Sequence, residues 1–325
     1  MTAHHRLPGP AGGADRGPWL VTGAGGMLAR DVLAELTRAG IGTVAARRSA
    51  LDVTDPVAVR AFITSRRPSV VVNCAAWTAV DDAEDREADA LAVNGTAVRL
   101  LARACRDAGA VLLHLSTDYV FAGDATRPYR EDDPTGPRTA YGRTKLVGER
   151  AVLDTLPDTG YVVRTAWLYG AGGGSFVRTL LRLERERDTL DVVDDQRGQP
   201  TWTVDLAHTL VALGRAALSG AAPPGVYHGT SAGEATWHAL GREVFRLIGA
   251  DPARVRPTTS DAYARPAPRP AYSVLGHDRW HTAGIAPMRD WRSALAAALP
   301  GIAHRATGEA HTDREESPSV CDRCP

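Results

Sequence analysis

Short apolar runs alternate along the first half of the chain with longer stretches whose apolar positions recur every three or four residues. Trp19-Leu20-Val21-Thr22, Thr43-Val44-Ala45-Ala46, Val70-Val71-Val72-Asn73-Cys74-Ala75-Ala76 and Val111-Leu112-Leu113-His114-Leu115 are of the first kind. Consecutive apolar positions of this sort fit strands buried on both faces, as in a parallel sheet. Between them, Leu28, Val32 and Leu36 repeat on one helical face up to Gly40. Pro56 follows Thr54 and Asp55, either of which can cap a helix beginning there. Residues 86–108 read as one long helix that carries Asn94. The alternation predicts βαβ units and a doubly wound parallel sheet, an α/β fold. Ligands on such sheets sit beyond the C-terminal strand ends. The glycine turn after Thr22, the pair Ala75-Ala76 and the pair Ser116-Thr117 all fall at such ends.

In the second half, helices are predicted over 176–187, 203–218, 236–248 and 290–299, with a strand at 225–229. Residues 194–201 read as a polar loop, and 257–270 as a proline-rich extended segment. The expected organisation is a leader over 1–17 and a nucleotide-binding domain over 18–170, to which part of 200–235 returns. A smaller lobe spans 171–300, and a polar tail spans 301–325. The pair Cys321 and Cys324 in that tail lacks the second pair a zinc site needs, and reads as an exposed dithiol.

Composition narrows the partners. The 325 residues carry 38 basic and 38 acidic side chains, so no global field favours nucleic acid or a membrane surface. No apolar run is long enough to span a membrane, and the N-terminus lacks the apolar core of a signal peptide. Four cysteines, two in apolar surroundings, fit a reducing cytoplasm. No metal site is expected.

The first turn, Gly23-Ala24-Gly25-Gly26-Met27-Leu28-Ala29, lies between a strand and a helix. That context suits a pyrophosphate at a helix N-terminus, with the glycines permitting close backbone approach. The second strand ends in Arg47-Arg48 rather than an acidic residue, which favours a 2′-phosphate and hence NADPH over NADH. Asp52 and Val53 are candidates for flanking an adenine. Downstream, the stretch from Leu115 to Lys145 holds Ser116-Thr117 at a strand end and Tyr141 four residues before Lys145. On a helix, Tyr141 and Lys145 share one face. A phenol near neutrality is a poor proton donor, and a neighbouring ammonium is expected to lower its pKa. With a reduced nicotinamide, this arrangement delivers hydride to a carbonyl carbon and a proton from Tyr141 to its oxygen, held by Thr117.

Five ordered motifs resemble one family. V-N-C-A-A-W-T-A-V-D-D-A-E (72–84), L-S-T-D-Y-V-F (115–121), Y-G-R-T-K-L-V-G-E (141–149), R-T-A-W-L-Y-G (164–170) and D-D-Q-R-G-Q-P-T (194–201) are similar to those of dTDP-4-dehydrorhamnose reductases. These belong to the extended short-chain dehydrogenase/reductases. The resemblance covers residues 19–299 and implies a Rossmann-type domain with a C-terminal sugar-nucleotide lobe. It implies Thr117, Tyr141 and Lys145 as the catalytic set. It also implies a cofactor site of Gly23, Gly25, Gly26, Met27, Leu28, Arg47, Asp52, Val53, Ala75, Ala76, Thr78 and Asn94, together with Tyr141 and Lys145. Asp118, Tyr119 and Trp167 are implied at the substrate, with Thr117, while Arg197 and Arg269 are candidates for its diphosphate. The substrate implied is a dTDP-4-keto-6-deoxy sugar, and the assembly a monomer or homodimer. Related dehydratases carry a glutamate where this chain has Tyr119. The absence of that acid favours reduction over loss of water. Three alternatives remain beside this reading: a related ketosugar reductase of an antibiotic pathway, such as a dihydrostreptose synthase, a non-catalytic nucleotide-binding subunit of the same fold, or an epimerase or dehydratase that turns over without net cofactor consumption.

Overall fold

The four apolar runs and the strand expected at 225–229 line up in one sheet in the computed structural model, which describes residues 17–308, together with a sixth strand at 160–165 that the pattern did not single out. Its strands are β1 (Trp19–Thr22), β2 (Thr43–Ala46), β3 (Val70–Asn73), β4 (Val111–Thr117), β5 (Gly160–Thr165) and β6 (Gly225–His228). They pair in parallel in the order β6-β5-β4-β3-β1-β2, with Trp19 opposite both Thr43 and Val70. Alternate side chains enter two cores. Leu20, Val71, Leu112 and Val162 meet Val59, Ile63, Leu101 and Val152 from the helices on one face. Val21, Val72, Leu113 and Val163 meet Leu28, Val32, Leu206 and Leu210 on the other. Both faces of the inner strands β1, β3, β4 and β5 are therefore buried, which is why β1, β3 and most of β4 read as unbroken apolar runs. The winding reverses between β1 and β3, and a crevice opens beyond their C-terminal ends.

Three local expectations change, and one left open is decided. The helix expected over 86–108 is broken: Glu87–Leu91 and Ala97–Ala108 are joined by a π-turn at Ala92–Thr96. The bulge carries Asn94 and lets the Ala140–Thr155 helix approach closely, since a Cβ on Gly148 would stand 2.2 Å from the Asn94 carbonyl oxygen. The loop expected over 194–201 contains two short strands. Arg197–Gly198 pairs with Ala235–Thr236, and Thr201–Trp202 pairs with Leu168–Tyr169. The last helix runs from Trp291 to Gly308, past Pro300 and into the segment expected as tail. Burial of Leu295, Ala298, Leu299 and Ile302 on one stripe continues across the proline and sustains it. Of the two candidate caps before Pro56, Asp55 is the one used, accepting from the Val57 and Ala58 amides at 2.8 and 3.1 Å. Apart from Gly17, the expected leader lies outside the described residues, as do Cys321 and Cys324.

The Thr203–Leu218 helix packs back on the Met27–Arg38 helix, and β6 joins the main sheet. The smaller lobe has its own core, built from Val177, Leu180, Val192, Leu240, Phe245 and Trp291.

Candidate active site

A cleft of about 860 Å³ opens over the ends of β1, β3 and β4. At its floor, Gly23 has a φ of +63°, and a Cβ there would stand 2.7 Å from the Ala75 nitrogen. Only glycine permits that backbone and that approach. The helix starting at Met27 has no side-chain cap, so its first N–H groups are left for an anion at the cleft floor. A glycine cradle above an uncapped helix N-terminus, in a cleft of this size, fits a dinucleotide.

Gly23, Gly25, Gly26, Met27 and Leu28 line this cleft, as do Asp52, Val53, Ala75, Ala76 and Thr78, and Tyr141 and Lys145 close its far end. Two expected cofactor residues stand elsewhere. Arg48 lines the cleft and Arg47 does not; the Arg47 carbonyl instead accepts from the Ala50 and Leu51 amides, turning the chain after β2. Asn94 lies behind the wall. Its amide accepts from the Trp77 N–H at 2.9 Å and donates to the Trp77 carbonyl at 3.1 Å, clamping the segment that lines the cleft. Several lining residues were missed, among them Arg30, Ser116 and the glycines at 172–174. Arg30 Nη1 donates to the Gly172 carbonyl at 3.1 Å, drawing the glycine loop over the first turn. The glycine run is visible in the sequence, but nothing local ties it to Arg30.

At the far end, Tyr141 stands in the first turn of the Ala140–Thr155 helix. Thr139 caps that helix through the Gly142 amide, and the Glu84 carboxylate accepts from the Ala140 amide at 2.9 Å. Thr117, the last residue of β4, is buried and donates to Asp118 Oδ1 at 2.9 Å. Burial pushes the Tyr141 phenol up to about 12, against a hydrogen bond with Thr117 that pulls it down. This reverses the expected lowering. The Lys145 ammonium is directed to the Leu115 carbonyl at 2.5 Å and does not act on the phenol here. Burial brings Lys145 itself down to about 8. Asp118 is also buried, with its carboxyl pushed up to about 6, and its Oδ2 has no partner among the described residues. Tyr119 meets Tyr141 edge-on, with ring centroids 5.7 Å apart.

None of the residues expected at the substrate lines this cleft. Trp167 has a φ of +46°, uncommon for a bulky residue, and stacks on Trp237 with centroids 3.5 Å apart. Gly198 also approaches Trp167 so closely that a Cβ would stand 2.6 Å from the indole. Trp237 carries no sequence signal, because its stacking partner is seventy positions away. Arg269 makes a bidentate pair with Asp81 at 2.9 and 2.7 Å, joined by Arg265 at 3.5 Å. These contacts bind the proline-rich strap to the loop after β3. Arg269 also lines a recess of about 310 Å³ with Arg265, Gln196 and Tyr263. Arg197 does not line the cleft: it pairs with Glu234 at 2.8 Å and is more than half exposed.

Among the described residues no helix is long and apolar enough to cross a membrane, and no cluster of candidate metal ligands occurs. The family described as the RmlD substrate binding domain matches residues 18–303. A dTDP-4-dehydrorhamnose reductase of Streptomyces griseus is 63% identical over 288 residues, covering 89% of this chain and 95% of that protein. A dTDP-4-keto-6-deoxy-D-glucose reductase of Streptomyces niveus is 57% identical, covering 87% and 96%. Among solved structures, a dTDP-4-dehydrorhamnose reductase of Bacillus anthracis in complex with NADP is 31% identical. It covers 88% of this chain and 99% of that one with a TM-score of 0.81. The chain belongs to the RmlD substrate binding domain family, that of the dTDP-4-dehydrorhamnose reductases.

Proposed function

We propose that this protein is an NAD(P)H-dependent reductase of the C4 ketone of a dTDP-4-keto-6-deoxyhexose. The observation that carries the reading is that Tyr141 and Lys145 line the end of a dinucleotide-sized cleft, with Thr117 hydrogen-bonded to Tyr141 behind it. The reduced nicotinamide supplies hydride to the carbonyl carbon. Tyr141, a neutral phenol, donates its proton to the carbonyl oxygen as charge develops there, and the emerging alkoxide is the stronger base. Thr117 orients that oxygen. Lys145 holds the nicotinamide ribose. Trp167 and Tyr119 flank the sugar, Asp118 lies beneath it, and Arg269, with Arg265 beside it, meets the diphosphate in exchange for part of its hold on Asp81. Arg48 and Arg30, the two arginines lining the cleft, support a preference for NADPH over NADH. The protein acts in the cytoplasm as a monomer or homodimer.

A second substrate is supported by the Streptomyces niveus relative, named for dTDP-4-keto-6-deoxy-D-glucose. The two sugars differ in ring stereochemistry, which pocket shape reads. Oxidation of NADPH and NADH is to be followed with each ketosugar, and the product identified by NMR. Net cofactor oxidation with a new C4 hydroxyl is expected. Turnover without net cofactor consumption would instead identify an epimerase or dehydratase, and the absence of any oxidation a binding subunit.

A further inference from the structure

Beneath the catalytic end of the cleft lies a charged group that the reaction as described does not use. Glu149 stands one helical turn beyond Lys145, on the same face of the Ala140–Thr155 helix. Its side chain is 2% exposed, and that of its partner Arg164, on β5, is 4% exposed. Arg164 Nε donates to Glu149 Oε1 at 2.9 Å and Nη2 to Oε2 at 2.8 Å. The Ser116 hydroxyl, itself at the cleft, donates to the same Oε1 at 2.6 Å. The guanidinium rests over the Phe121 ring at 4.8 Å, and its Nη1 lies 3.5 Å from His228 Nε2. His228 Nδ1 faces the Gly276 carbonyl at 2.9 Å. A carbonyl only accepts, so Nδ1 carries the proton and Nε2 is left to accept from Arg164. Every polar arm of the pair is thus engaged, which fixes the carboxylate in one position.

An isolated buried ion pair of this kind adds little stability over an apolar pair of the same volume. Its charge matters for its neighbour. We infer that Glu149 is a positioning residue of the cofactor site, whose carboxylate, locked by Arg164 and Ser116 one helical turn from Lys145, favours Lys145 as the ammonium that the Leu115 carbonyl accepts from. The inference rests on the reading that Lys145 binds the nicotinamide ribose.

Titratable groups reach the surroundings of Lys145 from several elements. On its own helix stand Tyr141, a neutral phenol, and Glu149. From the loop after β3 comes Cys74, whose thiol burial pushes up to about 12 and which is therefore uncharged. From β4 comes His114, which burial holds well below 6.5 and neutral. Asp118, at the end of that strand, acts on Tyr141 and Tyr119 but not on Lys145. Arg164 from β5 is turned onto Glu149, and His228 from β6 is held neutral by burial. Among the described residues, Glu149 is the one anion whose field favours the ammonium, against a burial that disfavours it. Without that field, Lys145 loses its proton at lower pH, and the cofactor loses a charged partner.

The test is the dissociation constant of NADPH for the full chain, followed by fluorescence from about pH 6 to about pH 10. Lys145→Met supplies the baseline, since it has no amine to titrate. Wild-type affinity is expected to weaken as pH rises through the Lys145 pKa. In Glu149→Gln the midpoint of that loss is expected about one pH unit or more lower. That variant strands Arg164 without its partner, so the double variant Glu149→Leu/Arg164→Met, which removes the pair together, is measured beside it. It is expected to keep the wild-type circular dichroism and to show the same downward shift. A folded double variant with the wild-type midpoint would overturn the inference and leave Glu149 a structural residue. A wild-type affinity that is flat with pH and equal to that of Lys145→Met would overturn the reading of Lys145 itself, and the inference with it.

Discussion

Tyr141 and Lys145 share a helix face, yet the two side chains meet different environments. Tyr141 is hydrogen-bonded to Thr117 and kept neutral by burial, whereas Lys145 is drawn to a backbone carbonyl. Tyr141→Phe removes the donated proton and little else. Its kcat is expected to fall about 10²- to 10⁴-fold with the NADPH dissociation constant almost unchanged, as steady-state kinetics and fluorescence titration will show. The arginines after β2 offer a second test at this scale. A charge-assisted hydrogen bond contributes about 1.5–3 kcal/mol. Arg48→Ser is therefore expected to weaken NADPH by about tenfold or more while leaving NADH nearly untouched. Arg47→Ser is expected to leave the ratio of the two affinities unchanged, because Arg47 does not line the cleft.

The π-turn at Ala92–Thr96 is the element that shapes one wall of the site. It shifts Asn94 into a position from which one amide satisfies both the N–H and the carbonyl of Trp77. A regular helix continued through 86–108 would carry that side chain around the axis by a different angle. Asn94→Ala leaves two backbone groups of Trp77 without their partner. Urea unfolding is expected to show a loss of about 1–3 kcal/mol. NADPH affinity is expected to fall with it, since Trp77 and Thr78 line the cleft. Comparable cofactor affinity in the variant would show that the wall stands without the clamp.

For the molecule as a whole, buried histidines set the response to acid. Burial holds His114 and His228 well below 6.5, and His277 below it as well. The native state therefore does not bind these protons, whereas the unfolded chain does once pH falls below about 6.5. Stability is fully present above that value and is lost as pH falls through it, by up to about 1.4 kcal/mol per pH unit for each histidine. Asp118 acts in the opposite sense. Its native pKa of about 6 lies above 3.8, so between these values it binds more protons folded than unfolded and offsets part of the loss. Thermal melts from about pH 7.5 down to about pH 5.5 are expected to show a falling Tm. Asp118→Asn is expected to make that fall steeper.

Residue pattern alone determined the alternating strands and helices, the edge on which the glycine turn and Ser116-Thr117 converge, and the Tyr141–Lys145 pair. Apolar periodicity, caps and short motifs act over a few neighbouring positions, and the fold honours them because burial on both faces of the sheet demands the same pattern. The tertiary structure decided which arginine faces the cleft, where Asn94 points and what Lys145 touches. It also set the long-range partners: Arg30 with Gly172, Trp167 with Trp237, Asp81 with Arg269, and Glu149 with Arg164. Each depends on the docking of segments distant in the chain. Direction and distance across such a junction come from packing, and no local spacing encodes them.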